Sequence, residues 1–90
     1  MDLSEIRDKL DELDRKLVGI VAQRQRLIPE VAEYKKKNNI ERYQPEREKE
    51  IIKSKRNLAE NENVDPDLIE GLFKRIIKNS HKIEKEIMGE

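Results

Sequence analysis

LSEIRDKLDELDRKLVGIVAQRQRLIPEVAEYKKK, residues 3–37, carries an apolar residue at nearly every third or fourth position. Spacings that alternate between three and four are typical of a helix with one continuous apolar seam. The seam consists of Leu3, Ile6, Leu10, Leu13, Leu17, Ile20, Leu27, Val31 and Tyr34. Its one unfilled position holds Arg24. Because a buried guanidinium is costly without an anion, either the helix is solvated there or a negatively charged group binds.

The length of this helix indicates self-association. At 1.5 Å per residue, residues 3–37 would span about 50 Å, more than a compact domain of this size needs. A chain of 90 residues also buries only about 60% of its unfolded surface, so one copy alone has a marginal core. We therefore expect a partner along the whole helix.

Pro29 interrupts the same helix. A proline in a helix interior removes one hydrogen bond and clashes with the carbonyl four residues earlier, here that of Gln25. Because the apolar pattern continues in register, we expect a kink between Arg24 and Lys35 rather than two separate helices.

The composition predicts a folded, all-helical chain. Charged residues make up 44% of the sequence and the mean hydropathy is −1.00, values that raise the question of disorder. However, the net charge is zero, and Leu, Ile, Val and Phe account for 24 of 90 residues. That share lies above the level of about one-fifth that suggests disorder.

The same composition argues against several classes of function. The chain lacks the basic surplus that a general nucleic-acid binder needs, and it has no cysteine and a single histidine for a metal site. No segment approaches the ~20 apolar residues of a membrane span, and the start of the sequence has no signal-peptide pattern. We expect a soluble, cytoplasmic protein without a metal or cofactor.

Two further helices follow the first. Asp2 with Glu5 and Asp65 with Pro66 are typical helix starts, and Pro45 suits the first position of the second helix. The predicted bounds are about 3–37, 45–62 and 66–88, within a single domain that covers residues 1–90. No strand pattern or internal repeat competes with this prediction.

Polar residues interrupt the apolar face of each helix. Arg24 and Lys35 are eleven residues apart, which is close to three full helical turns. Their side chains therefore lie on nearly the same side of the helix, about 16 Å apart along its axis. Arg47 and Glu48 precede the apolar stripe of the second helix, and Ser80 and Glu84 lie within that of the third. Each residue alone is explained by solvent exposure or, for Ser80, by a bond to its own backbone. Together they predict a pocket for a small dianion.

Arg7 adds a geometric argument. It precedes Arg24 by seventeen residues, about 25 Å on a straight helix, so both cannot contact one small ligand from one chain. If Arg7 contributes to the pocket, it comes from a second subunit. The lone His81 is expected at the surface rather than in the chemistry.

The arrangement resembles the all-helical, AroQ-type chorismate mutases over essentially the whole chain. The similarity is carried by the following residues, in order: Ile6-Arg7, Leu13-Asp14, Arg24, Leu27, Val31, Lys35, Pro45-Glu46-Arg47-Glu48, Leu72-Phe73, Ile76-Ile77, Ser80 and Glu84. The resemblance implies an intertwined homodimer of three-helix chains with two active sites. It also implies a cofactor-free isomerase of the shikimate pathway, which converts chorismate to prephenate for phenylalanine and tyrosine biosynthesis.

The resemblance also assigns roles to residues. Arg7 of the partner subunit, Arg24 and Arg47 would bind the two carboxylates of chorismate. Lys35 would reach the ether oxygen and a carboxylate, Glu48 the ring hydroxyl, and Ser80 a carboxylate. The catalytic residues would be Lys35, Glu84 and Arg24.

Two positions depart from the family pattern. Gln44 stands where many members have an acidic residue, and Glu84 where many have a glutamine that donates to the ether oxygen. To donate, Glu84 must be protonated. We therefore expect turnover to fall as rising pH deprotonates Glu84, unless Lys35 keeps this carboxyl ionised throughout.

Two alternatives remain at this point. An isochorismate pyruvate lyase resembles this fold and also uses a pericyclic step. A non-catalytic helical dimerisation module would leave the same charges solvated. The resemblance also allows docking to another enzyme of the aromatic pathway, and the sequence shows no regulatory segment.

Overall fold

The computed structural model describes residues 1–90 and is all-helical. Its elements are α1 (Leu3–Arg26), α2 (Ile28–Lys37), α3 (Pro45–Asn61) and α4 (Pro66–Met88). No β-strand is present. None of the four helices is both long enough and apolar enough to cross a lipid bilayer.

α1 and α2 are two segments of one interrupted helix. Leu27 alone separates them, and its φ of −80° and ψ of −20° remain in the right-handed helical region. Its N–H donates to the carbonyl of Arg24, three residues back, so the turn is locally tightened. The interruption lies two residues before Pro29, which has no N–H to donate to Gln25. The helix predicted over residues 3–37 is therefore interrupted at Leu27, within the interval between Arg24 and Lys35 where the sequence predicts a kink.

The helix ends follow the capping residues in the sequence. The side chain of Asp2 accepts a hydrogen bond from the Glu5 N–H at 2.9 Å, and that of Asp65 accepts from the Asp67 N–H at 2.9 Å. α3 begins at Pro45, and Gln44 at its N-cap makes no side-chain capping bond. Gly89 ends α4 with a φ of 76°, a left-handed conformation that glycine adopts without strain.

The helices pack around α4. α2 and α3 both lie against α4, and the C-terminal end of α1 reaches it through Gln25. Only five residues of the chain are buried. They are Ala32, Ala59, Ile76, Ser80 and Glu84. Two of the five are polar, so the small interior of the single chain is not purely apolar.

α1 leaves its apolar seam uncovered. No residue of α1 is buried, and Leu10, Leu13 and Ile20 are 52%, 59% and 62% exposed. The radius of gyration is 16.3 Å, against about 12 Å for a compact chain of this length. The longest dimension is 55 Å. The single chain is therefore elongated and carries a long apolar surface without a partner.

Candidate functional site

A cavity of about 290 Å³ lies where the end of α1, α2, α3 and α4 meet. We call it the site cavity. Seven sequence-predicted residues line it: Arg24, Lys35, Gln44, Arg47, Glu48, Ser80 and Glu84. Four apolar side chains complete its wall: Ile28, Val31, Ile51 and Ile77. All the predicted site residues of one chain except Arg7 are therefore brought together.

Arg24 enters the cavity without a carboxylate partner. Its Nη1 donates to Gln25 Oε1 at 2.7 Å and to Ser80 Oγ at 3.4 Å. Burial, and secondarily the positive charge of Arg47, lowers the pKa of Arg24 below its ordinary value. Both causes disfavour the charged guanidinium in the empty cavity. A bound anion would relieve both.

Ser80 is held by hydrogen bonds on both sides. Its hydroxyl donates to the carbonyl of Ile76 at 3.0 Å, the backbone bond that a helical serine commonly makes. Its oxygen also accepts from Gln25 Nε2 at 3.0 Å. Gln25 donates further to the side chain of Asn79 at 2.9 Å. This amide therefore ties the end of α1 to α4 beside Arg24, a role that the sequence analysis missed.

Lys35 and Glu84 form a buried ion pair. Lys35 Nζ lies 2.9 Å from Glu84 Oε1, and the two side chains are only 13% and 6% exposed. Nζ also donates to the backbone carbonyl of Arg42 at 2.8 Å. An ammonium group has three N–H donors, so one remains for a ligand. Glu84, whose carboxyl lies on an apolar helix face and was expected to need a partner, is therefore paired with Lys35.

Glu48 is connected to residues that the sequence analysis did not select. Its Oε2 lies 2.7 Å from His81 Nε2, and Arg42 Nη1 donates to His81 Nδ1. The expectation that His81 is a surface residue is wrong, since its side chain is 20% exposed and lines the site cavity. The available signal was its helical spacing, because His81 precedes Glu84 by three residues. Arg42 lies in a loop and offered no periodic signal.

Arg47 and Gln44 lie at the open edge of the cavity. Arg47 Nη1 pairs with Glu50 Oε1 at 2.6 Å on a solvent-exposed surface. Exposed pairs of this kind contribute little and are easily exchanged. Gln44 is exposed and has no side-chain hydrogen bond. Both residues can therefore reorient toward a ligand at low cost.

Arg7 does not reach the site cavity of its own chain. It lies on the exposed first half of α1 and does not contribute to the cavity wall. The structure contains one chain and therefore no partner subunit. The place of Arg7 in a site stays a prediction.

The charges of the site cavity are unbalanced. Four cationic side chains face it, Arg24, Lys35, Arg42 and Arg47, against the two carboxyl groups of Glu48 and Glu84. Arg42 and Arg47 also pair with Glu90 and Glu50, which do not line the cavity, so Arg24 alone has no carboxylate partner. The excess of lining cations over lining carboxylates favours an anionic ligand. The volume of the site cavity is near the lower end of the range for ligand pockets, which indicates a small ligand.

A larger groove lies on the outer side of α3 and α4 and is a weaker candidate. Its volume is about 600 Å³, but three of the four basic residues that line it, Lys49, Arg56 and Lys74, are already paired with carboxylates. Arg56 contacts Asp67 and Glu70, and Lys74 contacts Glu70 at 2.8 Å. These partners raise the pKa of Arg56, chiefly through the hydrogen bond that Arg56 donates to Asp67, and lower the pKa of Glu70, chiefly through the hydrogen bond that Lys74 donates to it. No group of three or more His, Asp or Glu side chains is arranged to hold a metal ion.

Comparisons with known proteins point to one family. The sequence model of the family described as "Chorismate mutase type II" matches residues 6–85. The "Chorismate mutase" of Methanocaldococcus jannaschii is 36% identical over 88 residues, which cover 98% of this chain and 89% of that protein.

Two longer relatives contain a similar segment. The "T-protein" of Enterobacter agglomerans is 36% identical over 85 residues, 94% of this chain and 23% of that protein. The "Bifunctional chorismate mutase/prephenate dehydratase" of Buchnera aphidicola subsp. Schizaphis graminum is 32% identical over 88 residues, 98% of this chain and 23% of that protein. The chain therefore spans less than a quarter of the length of these two relatives.

Proposed function

We propose that this chain, which belongs to the chorismate mutase type II family, converts chorismate to prephenate in phenylalanine and tyrosine biosynthesis. The observation that carries the proposal is the site cavity, with its excess of lining cations over lining carboxylates and the unpaired guanidinium of Arg24. Chorismate carries two carboxylates, so it supplies the charge that the cavity lacks. Arginine suits this task because its planar fork binds a carboxylate through two hydrogen bonds.

The reaction needs preorganisation rather than a nucleophile. In this intramolecular Claisen rearrangement the ether C–O bond breaks while a C–C bond forms, and negative charge grows on the ether oxygen. Arg24, Arg47 and the partner's Arg7 hold the carboxylates, with Ser80 as a further contact. They thereby fix the enolpyruvyl chain over the ring, which removes much of the entropic cost of the step.

Lys35 and Glu84 stabilise the developing charge. The third N–H of Lys35, left over from Arg42 and Glu84, is available to the ether oxygen. Its fixed positive charge in a partly enclosed cavity favours the transition state over the ground state. Glu84 adds a second donor to the same oxygen when its carboxyl is protonated. Glu48 accepts a hydrogen bond from the ring hydroxyl.

The active form is proposed to be an intertwined homodimer. Its support is the uncovered seam of α1, the exposed half of the helix that carries Arg7, and the elongated shape of the chain. In a two-fold dimer each α1 covers the other chain and delivers its Arg7 to the other site. Burial of the two seams adds the apolar core that one chain lacks.

An assay with two substrates tests the proposed reaction. The purified chain is incubated separately with chorismate and with isochorismate, and the products are identified. We expect prephenate from chorismate. Salicylate and pyruvate from isochorismate, without prephenate from chorismate, would favour the pyruvate lyase instead. No product from either substrate would favour the non-catalytic dimerisation module.

We also propose that the domain works beside a second enzyme of the aromatic pathway. The support is the bifunctional relative from Buchnera aphidicola, whose name joins a chorismate mutase and a prephenate dehydratase in one protein. Mixing this chain with the prephenate dehydratase of its own organism should give a complex by analytical ultracentrifugation. Independent sedimentation of the two proteins at all concentrations would contradict this proposal.

A further inference from the structure

Glu48 is held in the site cavity by one hydrogen bond from a neighbouring helix. Glu48 lies on α3, and its Oε2 is 2.7 Å from Nε2 of His81 on α4. Its other oxygen, Oε1, makes no hydrogen bond within the chain, although the side chain is only 29% exposed. One carboxylate oxygen is therefore fixed and the other is free to accept from a ligand.

The protonation pattern of the imidazole follows from its second neighbour. Arg42 Nη1 donates to His81 Nδ1, and an arginine side chain has donors but no acceptor. Nδ1 must therefore accept, which places the single proton of a neutral ring on Nε2, where it is donated to Glu48. The competing partner of Nδ1 is Glu84 Oε2 at 3.8 Å, beyond hydrogen-bonding distance.

Arg42 is itself anchored on two sides. Its Nε donates to Glu90 Oε1 at 3.0 Å, and its backbone carbonyl accepts from Lys35 Nζ at 2.8 Å. The loop residue that fixes His81 therefore also contacts the lysine of the site. This arrangement links the orientation of Glu48 to that of Lys35 through a single residue.

We propose that His81, held as its Nε2–H tautomer by Arg42, is a positioning residue that fixes Glu48 so that Oε1 accepts the ring hydroxyl of the substrate. The substrate part of this inference rests on the proposed function. The His81–Glu48 arrangement itself does not, because it follows from contacts within the chain. Neither His81 nor Arg42 needs to touch the reacting atoms.

The tautomer is measured directly, without substrate. His81 is the only histidine of the chain, so its two ring nitrogens give unambiguous signals in nitrogen-15 NMR. In the neutral ring we expect a proton on Nε2 and none on Nδ1. In a Glu48→Ala background, where no carboxylate accepts from Nε2, adding Arg42→Leu should produce a mixture of tautomers, whereas adding the control Lys82→Leu, at an exposed position on the helix of His81, should not. A proton on Nδ1 in the wild type, or the same single tautomer after Arg42→Leu in the Glu48→Ala background, would overturn the proposal.

A double-mutant cycle tests whether His81 acts through Glu48. His81→Leu should lower kcat/KM by about tenfold, the effect of losing a hydrogen bond to a charged group. His81→Gln should restore most of that loss, because its amide nitrogen can donate to Glu48 from a similar position. With Glu48→Ala already present, His81→Leu should cause no further loss.

Different outcomes would contradict the positioning role of His81 and the proposed mutase activity. Additive losses in the cycle, or His81→Gln as impaired as His81→Leu, would overturn the positioning role while leaving the mutase activity in place. A wild-type chain that does not consume chorismate would instead overturn the proposed function. The NMR measurement would then still decide the arrangement of His81.

Discussion

A leucine at position 24 would complete the apolar seam of α1 and remove the unpaired charge of the site cavity. We expect Arg24→Leu to lower kcat/KM for chorismate by about 100-fold or more, the usual effect of losing a charge-stabilising donor. Because a partly buried cation without a carboxylate partner is lost, the free energy of unfolding should rise slightly. Enzyme kinetics and chemical denaturation measure the two effects.

Arg26 provides the matched control. It lies two residues further along the same helix and is exposed. Arg26→Leu should leave both turnover and stability nearly unchanged. An Arg24→Leu variant that keeps full turnover as a folded dimer would remove Arg24 from the proposed active site.

Glu84 gives the chain an expected pH dependence. Its Oε1 accepts a hydrogen bond from Lys35, but only a protonated carboxyl could donate to the ether oxygen of chorismate. Because protonation is favoured as pH falls, turnover should rise toward acidic pH and decline as the pH is raised. Glu84→Gln carries an N–H donor at every pH and should flatten the profile of kcat against pH.

The neighbours of Glu84 require a second variant in this experiment. His81 Nδ1 lies 3.8 Å from Oε2 of Glu84, so the two groups are separated by a variant that removes the imidazole. The His81→Gln variant should therefore keep the decline, since its Glu84 is unchanged. A profile in Glu84→Gln identical to that of the wild type would remove Glu84 from the mechanism.

Individual residues differ in how well the sequence predicts their surroundings. Arg24 and Glu84 could be selected because each is a charge on an apolar helix face, and that conflict is visible in the helical period alone. The partner of Glu84 could be named for the same reason. The contact between Arg42 and His81 could not, because it depends on where a loop lies relative to α4. Loop positions follow from tertiary packing and leave no period in the sequence.

The start of α3 offers a stability prediction at the level of a helix. Gln44 occupies the N-cap but makes no capping bond, so the first N–H groups of α3 lack a side-chain acceptor. Gln44→Asp should raise the free energy of unfolding by about 1 kcal/mol, because a short carboxylate can accept from these N–H groups and suits the helix dipole. Thermal and urea denaturation measure the change.

Gln44→Ala is the control for this prediction. It also removes the glutamine side chain but cannot cap, so its stability should match the wild type. Equal stabilisation by alanine and aspartate would show that loss of the glutamine, rather than a new cap, causes the effect. Comparison of kcat/KM for the two variants also reports whether Gln44 contacts the substrate.

The helices themselves were largely predictable because their signals are local. The cap at Asp2 and the proline at position 45 specify where helices begin, and each acts within one turn. Pro29 specified the interruption in the same way. The sequence alone places the break only within the interval between Arg24 and Lys35. Its location at Leu27 depends on which turn absorbs the missing bond and the steric clash.

The whole molecule explains why α1 has an apolar seam that its own chain does not bury. α4 provides one face to α2 and another to α3, and the first half of α1 extends away from all three. Periodicity predicts that a helix face needs burial, but it does not name the surface that covers it. The extended shape and the exposed Leu10 and Leu13 show that the core of the single chain is incomplete, which supports the proposed homodimer.

Mixed dimers test whether each site uses both chains. A dimer of one Arg7→Ala chain and one Arg24→Ala chain has one site with both arginines and one site with neither, if Arg7 acts on the partner. Each variant alone should be nearly inactive, because every site then lacks one arginine.

After unfolding and refolding of an equal mixture, half of the dimers are mixed and each has one intact site, so activity should return to about a quarter of the wild-type value. If Arg7 instead acted within its own chain, every site in the mixture would lack one arginine and no activity would return. Refolding an equal mixture of Arg7→Ala with a double Arg7→Ala/Arg24→Ala variant is the control, since no combination of these chains restores a site.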